Sequence, residues 1–204
     1  MRLKAVELNA PPRALPPRVN ELLNDADQRI ERLQHERRDR PIAAFVPSDF
    51  ATAYHALDEI DELGLAPGRR FVEWGSGAGV VACLAAMLAW DAVGIEIEDD
   101  LVDLAEGLAE DHDVAVEFVR GSFVPEDCHA DLAEQRDINW LRTDGADAYE
   151  WLGLDPDDFD LVFAYPWPGE EQIVFDLFAE SGAVGSLLLT YHGQEGLRLQ
   201  RKVP

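Results

Sequence analysis

The stretch that most constrains this chain is Phe71-Val72-Glu73-Trp74-Gly75-Ser76-Gly77-Ala78-Gly79-Val80-Val81. A basic pair, Arg69-Arg70, leads into a short apolar run, then a carboxylate, then glycine at every second position. A helical pattern follows from Val80 to Trp90. The order reads as a buried strand, a tight turn and a helix N-terminus, a place where glycines admit positive φ and let a ligand come close. The dinucleotide fingerprint G-x-G-x-x-G needs glycine at position 80, which holds Val80, and a P-loop needs a Gly-Lys-Ser/Thr ending that is missing. A carboxylate at Glu73 would repel a pyrophosphate. It suits a ligand bearing positive charge.

Seventeen positions beyond Gly79 the run Ala92-Val93-Gly94-Ile95-Glu96 ends in an acid, where a βαβ unit delivers its next strand and a carboxylate can accept ribose hydroxyls. Over residues 68–125 this pattern resembles motif I and the cofactor half of the class I S-adenosylmethionine (SAM)-dependent methyltransferases. The resemblance implies a Rossmann-like α/β fold, an open and mostly parallel sheet with helices on both faces, carrying here an N-terminal helical extension. It implies SAM as cofactor, with Glu73, Gly75, Ser76, Gly77, Gly79, Glu96 and Ile97 around it. After a third strand at Val114 to Val119, the family usually reads Gly-Asp, the acid contacting adenine. This chain has Gly121-Ser122-Phe123, so Ser122 and Phe123 are candidates there, with Asp144 as the rival if residues 124–142 form an inserted excursion.

A fourth strand, Phe159 to Ala164, ends in Tyr165-Pro166-Trp167-Pro168-Gly169-Glu170-Glu171. Loops at the carboxyl ends of strands carry the site in open α/β sheets. Two prolines rigidify this one, and its rings can wall a pocket. It resembles the Asp/Asn-Pro-Pro-aromatic motif of amino-group methyltransferases, although Ala164 or Tyr165 replaces the Asp/Asn and Trp167 separates the prolines. Tyr165, Pro166, Trp167 and Glu170 are therefore the candidate catalytic residues, and the resemblance implies methyl transfer to a nitrogen of a protein side chain or small molecule. A SAM-binding regulator or scaffold without catalysis is the alternative, and a built pocket at Tyr165 to Pro168 would argue against it. His192, at the end of a fifth strand from Gly185 to Tyr191, and Phe45, Ser48 and Tyr54 are further positions near the expected site, each better explained as structural.

Upstream, the pairs Pro11-Pro12 and Pro16-Pro17 predict an extended or loosely held arm over 1–17. Val19, Leu22, Leu23, Ala26, Ile30 and Leu33 form one stripe of a helix ending before Pro41, to be buried on its own domain or against a second copy. Its second half, Arg29 to Arg40, reads as a basic, solvated face. Ser48 is the expected N-cap of the next helix. The boundaries are an arm and helix over 1–45 and a methyltransferase-like domain over 46–204. With Leu197 to Val203 as a last strand, the sheet is one strand short of seven or has a reduced edge, which the first helix could cover.

Charge limits the partners. The net charge is −24; residues 1–40 hold nine basic and seven acidic side chains, whereas residues 71–197 hold three basic and twenty-nine acidic. Such a field opposes nucleic acid and favours a cationic acceptor, a small molecule or a protein. Two lysines against fifteen arginines also fit a GC-rich or salt-adapted proteome with no bearing on substrate. No membrane-length apolar run, signal peptide or metal-ligand spacing occurs, and Cys83 and Cys128 stand alone, so a cytoplasmic protein without metal is expected. Cys83 reads as core. The sequence does not decide oligomeric state.

Overall fold

Short runs in which nearly every residue is apolar form the middle of the sheet, as parallel strands buried on both faces require. In the computed structural model the elements run β1 (Arg2–Val6), α1 (Pro17–Glu36), α2 (Phe50–Glu62), β2 (Arg70–Trp74), α3 (Val80–Met87), β3 (Asp91–Glu96), α4 (Asp99–Asp111), β4 (Val116–Arg120), α5 (Ala148–Leu152), β5 (Leu161–Ala164), α6 (Glu171–Ser181), β6 (Leu187–Tyr191) and β7 (Leu197–Val203). The structure describes residues 2–42, 45–125, 141–142 and 145–204. One seven-stranded sheet runs in the order β1-β7-β6-β5-β2-β3-β4. The pairs from β6 to β4 are parallel, and β7 is antiparallel to both β6 and β1. The order β4-β3-β2-β5-β6 is that of the doubly wound fold, which reverses between β2 and β5 and opens a crevice at their carboxyl ends.

Side chains alternate between the faces. Phe71, Phe163 and Leu189 join α1 to α4 in one core, while Val72, Val162 and Leu188 pack with α5 and α6 in another. Cys83 is fully buried in the first, and burial pushes its thiol up to about 12.

The N-terminus departs from the sequence reading in three ways. Residues 2–6 are not a loose arm: they pair with β7 in register from Arg2 opposite Val203 to Val6 opposite Leu199, and so supply the seventh strand. The edge of β7 is thus covered by β1, not by α1. Following β1, the chain is gripped by two side chains one turn apart on α2. The Asn9 N–H donates to Glu59 Oε1 at 2.9 Å and the Arg13 N–H to His55 Nε2 at 3.3 Å.

Helix α1 packs within the chain, burying Val19, Leu22, Ala26 and Ile30, of which each large side chain contributes about 1.5–3 kcal/mol at most. Arg18, Arg29 and Arg37 are not merely solvated; they tie the helix to α4 and its C-terminus. Arg29 meets Asp25 at 2.9 Å and Asp111 at 2.5 Å, Arg37 pairs with Asp100, and Arg18 donates to the carbonyls of His112 and Asp113 beyond the C-terminus of α4. The Arg29 guanidinium holds the Asp25 carboxyl below its usual range. The cap of α2 is Asp49, one residue later than expected, whose carboxylate accepts the Thr52 N–H at 2.9 Å. Among the described residues, no helix is long and apolar enough to cross a membrane.

Candidate functional site

Strand β2 is buried from Phe71 to Trp74 and delivers the chain into the glycine turn at the crevice. Gly77 takes φ +53°, and a Cβ there would stand 2.9 Å from Cε2 of Phe45, so the turn has no room for a side chain beside that ring. The turn is tied down from β3. The Ser76 N–H donates to the Ile95 carbonyl at 2.9 Å, and the Gly77 N–H donates to Glu96 Oε2 at 2.8 Å. Glu96 Oε1 accepts the N–H groups of Ile97 (2.7 Å) and Glu98 (3.0 Å). Three backbone donors thus converge on one carboxylate, which is 9% exposed. Burial raises its pKa and these bonds oppose the rise.

Glu73 does a second job. Its Oε2 accepts the Ala82 N–H at 2.8 Å, satisfying a donor in the first turn of α3. Burial holds its carboxyl well above the ordinary range, against that bond, and the Glu96 charge adds to the rise. Gly79, the αL residue before α3, does not line the cavity. A Cβ there would lie 2.5 Å from the Phe118 ring and 2.6 Å from Ala105, so its glycine serves packing against β4 and α4.

At the end of β4, Ser122 and Phe123 both line the cavity. The Ser122 Oγ accepts the Val124 N–H at 3.1 Å, a local turn that engages the hydroxyl. Phe123 stacks on Trp74 at 5.2 Å between centroids, with planes 8° apart. Trp74 in turn donates its Nε1–H to the buried Tyr149 hydroxyl at 2.7 Å. Asp144, Cys128 and most of the 124–142 excursion lie outside the described residues.

Across the crevice, Tyr165, Pro166, Trp167 and Glu170 face the same cavity. The Tyr165 ring meets Tyr191 edge-on at 4.8 Å. Glu170 is 4% exposed, and its Oε2 accepts the Leu141 N–H at 3.1 Å, which ties the loop to the far end of the excursion. Phe45 and Ser48 line the cavity, whereas Tyr54 is core and His192 lies off it, with Nε2 2.8 Å from Thr190 Oγ1. Burial lowers the His192 pKa.

One cavity of about 330 Å³ therefore joins the candidates from both banks: Glu73, Gly75, Ser76, Gly77, Glu96, Ile97, Ser122 and Phe123 with Tyr165, Pro166, Trp167 and Glu170. Among the described residues four carboxylates line it, those of Glu73, Glu96, Glu98 and Glu170; Arg142, also in the lining, is paired with Glu98 at 2.5 Å. The Ser76 Oγ is buried with no hydrogen-bond partner, and a Cβ on Gly94 would stand 2.9 Å from it, so the hydroxyl lies against β3. The sequence reading missed Val46, Phe50, Trp74, Glu98 and Arg142 in the lining. Trp74, between Glu73 and Gly75, was findable from its place in the motif. The Glu98–Arg142 pair joins distant positions and leaves no local signal.

No family model matches the chain, and no curated protein matches it. Solved structures do. A putative O-methyltransferase from Klebsiella pneumoniae aligns over 94% of this chain and 92% of its own, at 13% identity and TM-score 0.54. An O-methyltransferase from Bacillus cereus in complex with S-adenosylhomocysteine (SAH) aligns over 87% of this chain and 66% of its own, at 14% identity and TM-score 0.51. At such identities the likeness is one of fold. The sheet order, the crevice at its reversal and these two structures agree that this chain has the fold of the class I SAM-dependent methyltransferases.

Proposed function

We propose that the protein is a SAM-dependent methyltransferase whose acceptor is a nitrogen, cationic before it reacts. The observation that carries the reading is one acidic cavity that puts the glycine turn opposite the Tyr165–Glu170 loop. The residues fit the cofactor. Gly75 and Gly77 leave the turn without side chains, and the acid-rich lining suits a sulfonium and an ammonium. Glu96 would hold a ribose hydroxyl through the lone pair left on Oε2, Glu73 would face the ammonium, and Ile97 and Phe123 would pack on the base.

When bound, SAM supplies an activated methyl group on sulfur. The chain's own work is then positioning and exclusion of water. Phe45, Phe50 and Trp167 wall the cavity, Tyr165 and Trp167 would place rings beside the acceptor cation, and Glu170 would supply negative charge and take its proton. The nitrogen reading rests on this aromatic and acidic lining, and on the loop's partial resemblance to the amino-group motif. The test is Trp167→Ala. It should bind SAM within about twofold of the parent while transfer of labelled methyl to an amine acceptor falls by about a hundredfold, the size of a lost positioning contact. A variant that loses SAM and keeps turnover per bound cofactor would move the acceptor elsewhere.

A further inference from the structure

We infer that the acceptor is an aliphatic amine at the tip of a polypeptide side chain, a lysine, threaded into the cavity from outside. This rests on the methyltransferase reading and deepens it. Ligand pockets run from about 300 to about 1,000 Å³ for one compact ligand. At about 330 Å³ the cavity has room for one, yet both banks line the same space. With the cofactor seated on the glycine bank, little of that volume is left beside Tyr165 and Trp167, which favours a slender acceptor reaching in from outside.

The mouth points the same way. Val46 lines the cavity and is also 49% exposed, Pro168 lines it and is exposed, and Pro47 and Trp167 are half-buried. An exposed apolar rim has nothing to do for a metabolite held inside. It does have a role when the backbone and neighbouring side chains of a bound polypeptide lie across the opening. The lining beneath the rim suits a lysine. Its methylenes would pass the rings while its ammonium moves toward the carboxylate of Glu170. The field of the acidic domain, with three basic and twenty-nine acidic side chains over residues 71–197, attracts a basic segment and repels nucleic acid.

The step balances without a further reactant. The lysine ammonium gives one proton to the Glu170 carboxylate, and the nitrogen lone pair forms the bond to the methyl carbon. The carbon–sulfur bond breaks with its electron pair left on sulfur, so the products are a methylated ammonium and SAH.

The test incubates the full chain and SAM carrying a deuterated methyl group with three fractions of an extract of its own cells: protein, nucleic acid and small molecules. Mass spectrometry then locates the label. The inference expects it on lysine Nζ in the protein fraction, and expects Val46→Asn to cut that labelling about tenfold with SAM affinity by calorimetry unchanged. Label confined to the small-molecule or nucleic-acid fraction, label on another protein atom, or labelling indifferent to Val46→Asn overturns it. SAM binding with no label in any fraction instead overturns catalysis itself, and no SAM binding overturns the cofactor reading.

Discussion

On the glycine bank of the cavity, Glu73, Glu96 and Ser122 hold N–H groups of the turn and helices, while the β5 bank is made of rings and prolines with one carboxylate, Glu170, which holds the Leu141 N–H. The first bank is fold machinery that also faces a ligand. Its carboxylates cap α3 and pin the turn, so a change there strikes stability and binding together. The second bank follows a completed strand and walls a space, so its rings can be changed with the fold left standing, whereas the buried Glu170 also holds the Leu141 N–H. Substitutions should therefore divide by bank. Loss of stability should follow the glycine side, and loss of turnover alone should follow the β5 side.

The largest effect belongs to Gly79→Val. Its Cβ would lie 2.5 Å from Phe118 in a backbone conformation at φ +70°, so both overpacking and strain apply. We expect a loss of about 4 kcal/mol or more, enough to unfold a marginal domain, seen as a lost or much lowered urea midpoint. A stable variant with only SAM binding impaired would move Gly79 from packing to the ligand.

Next comes Glu96→Ala, which strips the largely buried acceptor from three N–H groups. A loss of about 2–4 kcal/mol in stability should accompany the fall in SAM affinity. Glu96→Gln keeps one oxygen acceptor and should lie between. A Glu96→Ala protein as stable as the parent, measured by urea unfolding, would break the claim that this bank carries the fold.

A smaller effect concerns Glu73 and pH. Its folded pKa lies above its unfolded value, so the folded state binds the proton more tightly between the two. Stability then falls as pH rises from the usual carboxylate range through the raised value. Glu73→Gln retains a carbonyl for the Ala82 N–H and removes this slope. Urea midpoints of the variant without cofactor should thus fall less with rising pH than those of the parent, and SAM affinity should be weaker in the variant. Parallel midpoint curves would show that burial does not hold the proton on Glu73.

The central sheet and the two carboxylates were legible because they are local: apolar runs, glycine spacing and an acid at each strand end fall within a few residues of one another. The N-terminal strand was not. Arg2–Val6 carries two basic residues and is followed by prolines, so only its long-range pairing with β7 makes it a strand. The cap of α2 was misplaced by one residue because Ser48 and Asp49 are both good capping types, and geometry chose the second. Gly79 looked like part of the ligand cradle since the motif spaces its glycines evenly; the ring of Phe118, far along the chain, gives it another task. The partners of Glu96 also lay beyond local reading, since the Gly77 N–H comes from the preceding βα turn.

The central claim is that the glycine turn seats SAM, and calorimetric titration of the full chain with SAM and, separately, with NAD tests it most directly. The account predicts saturable one-site binding of SAM and no heat with NAD, because Glu73 stands where a pyrophosphate would be repelled and Val80 replaces the last glycine of the dinucleotide turn. Saturable binding of NAD without SAM would contradict it.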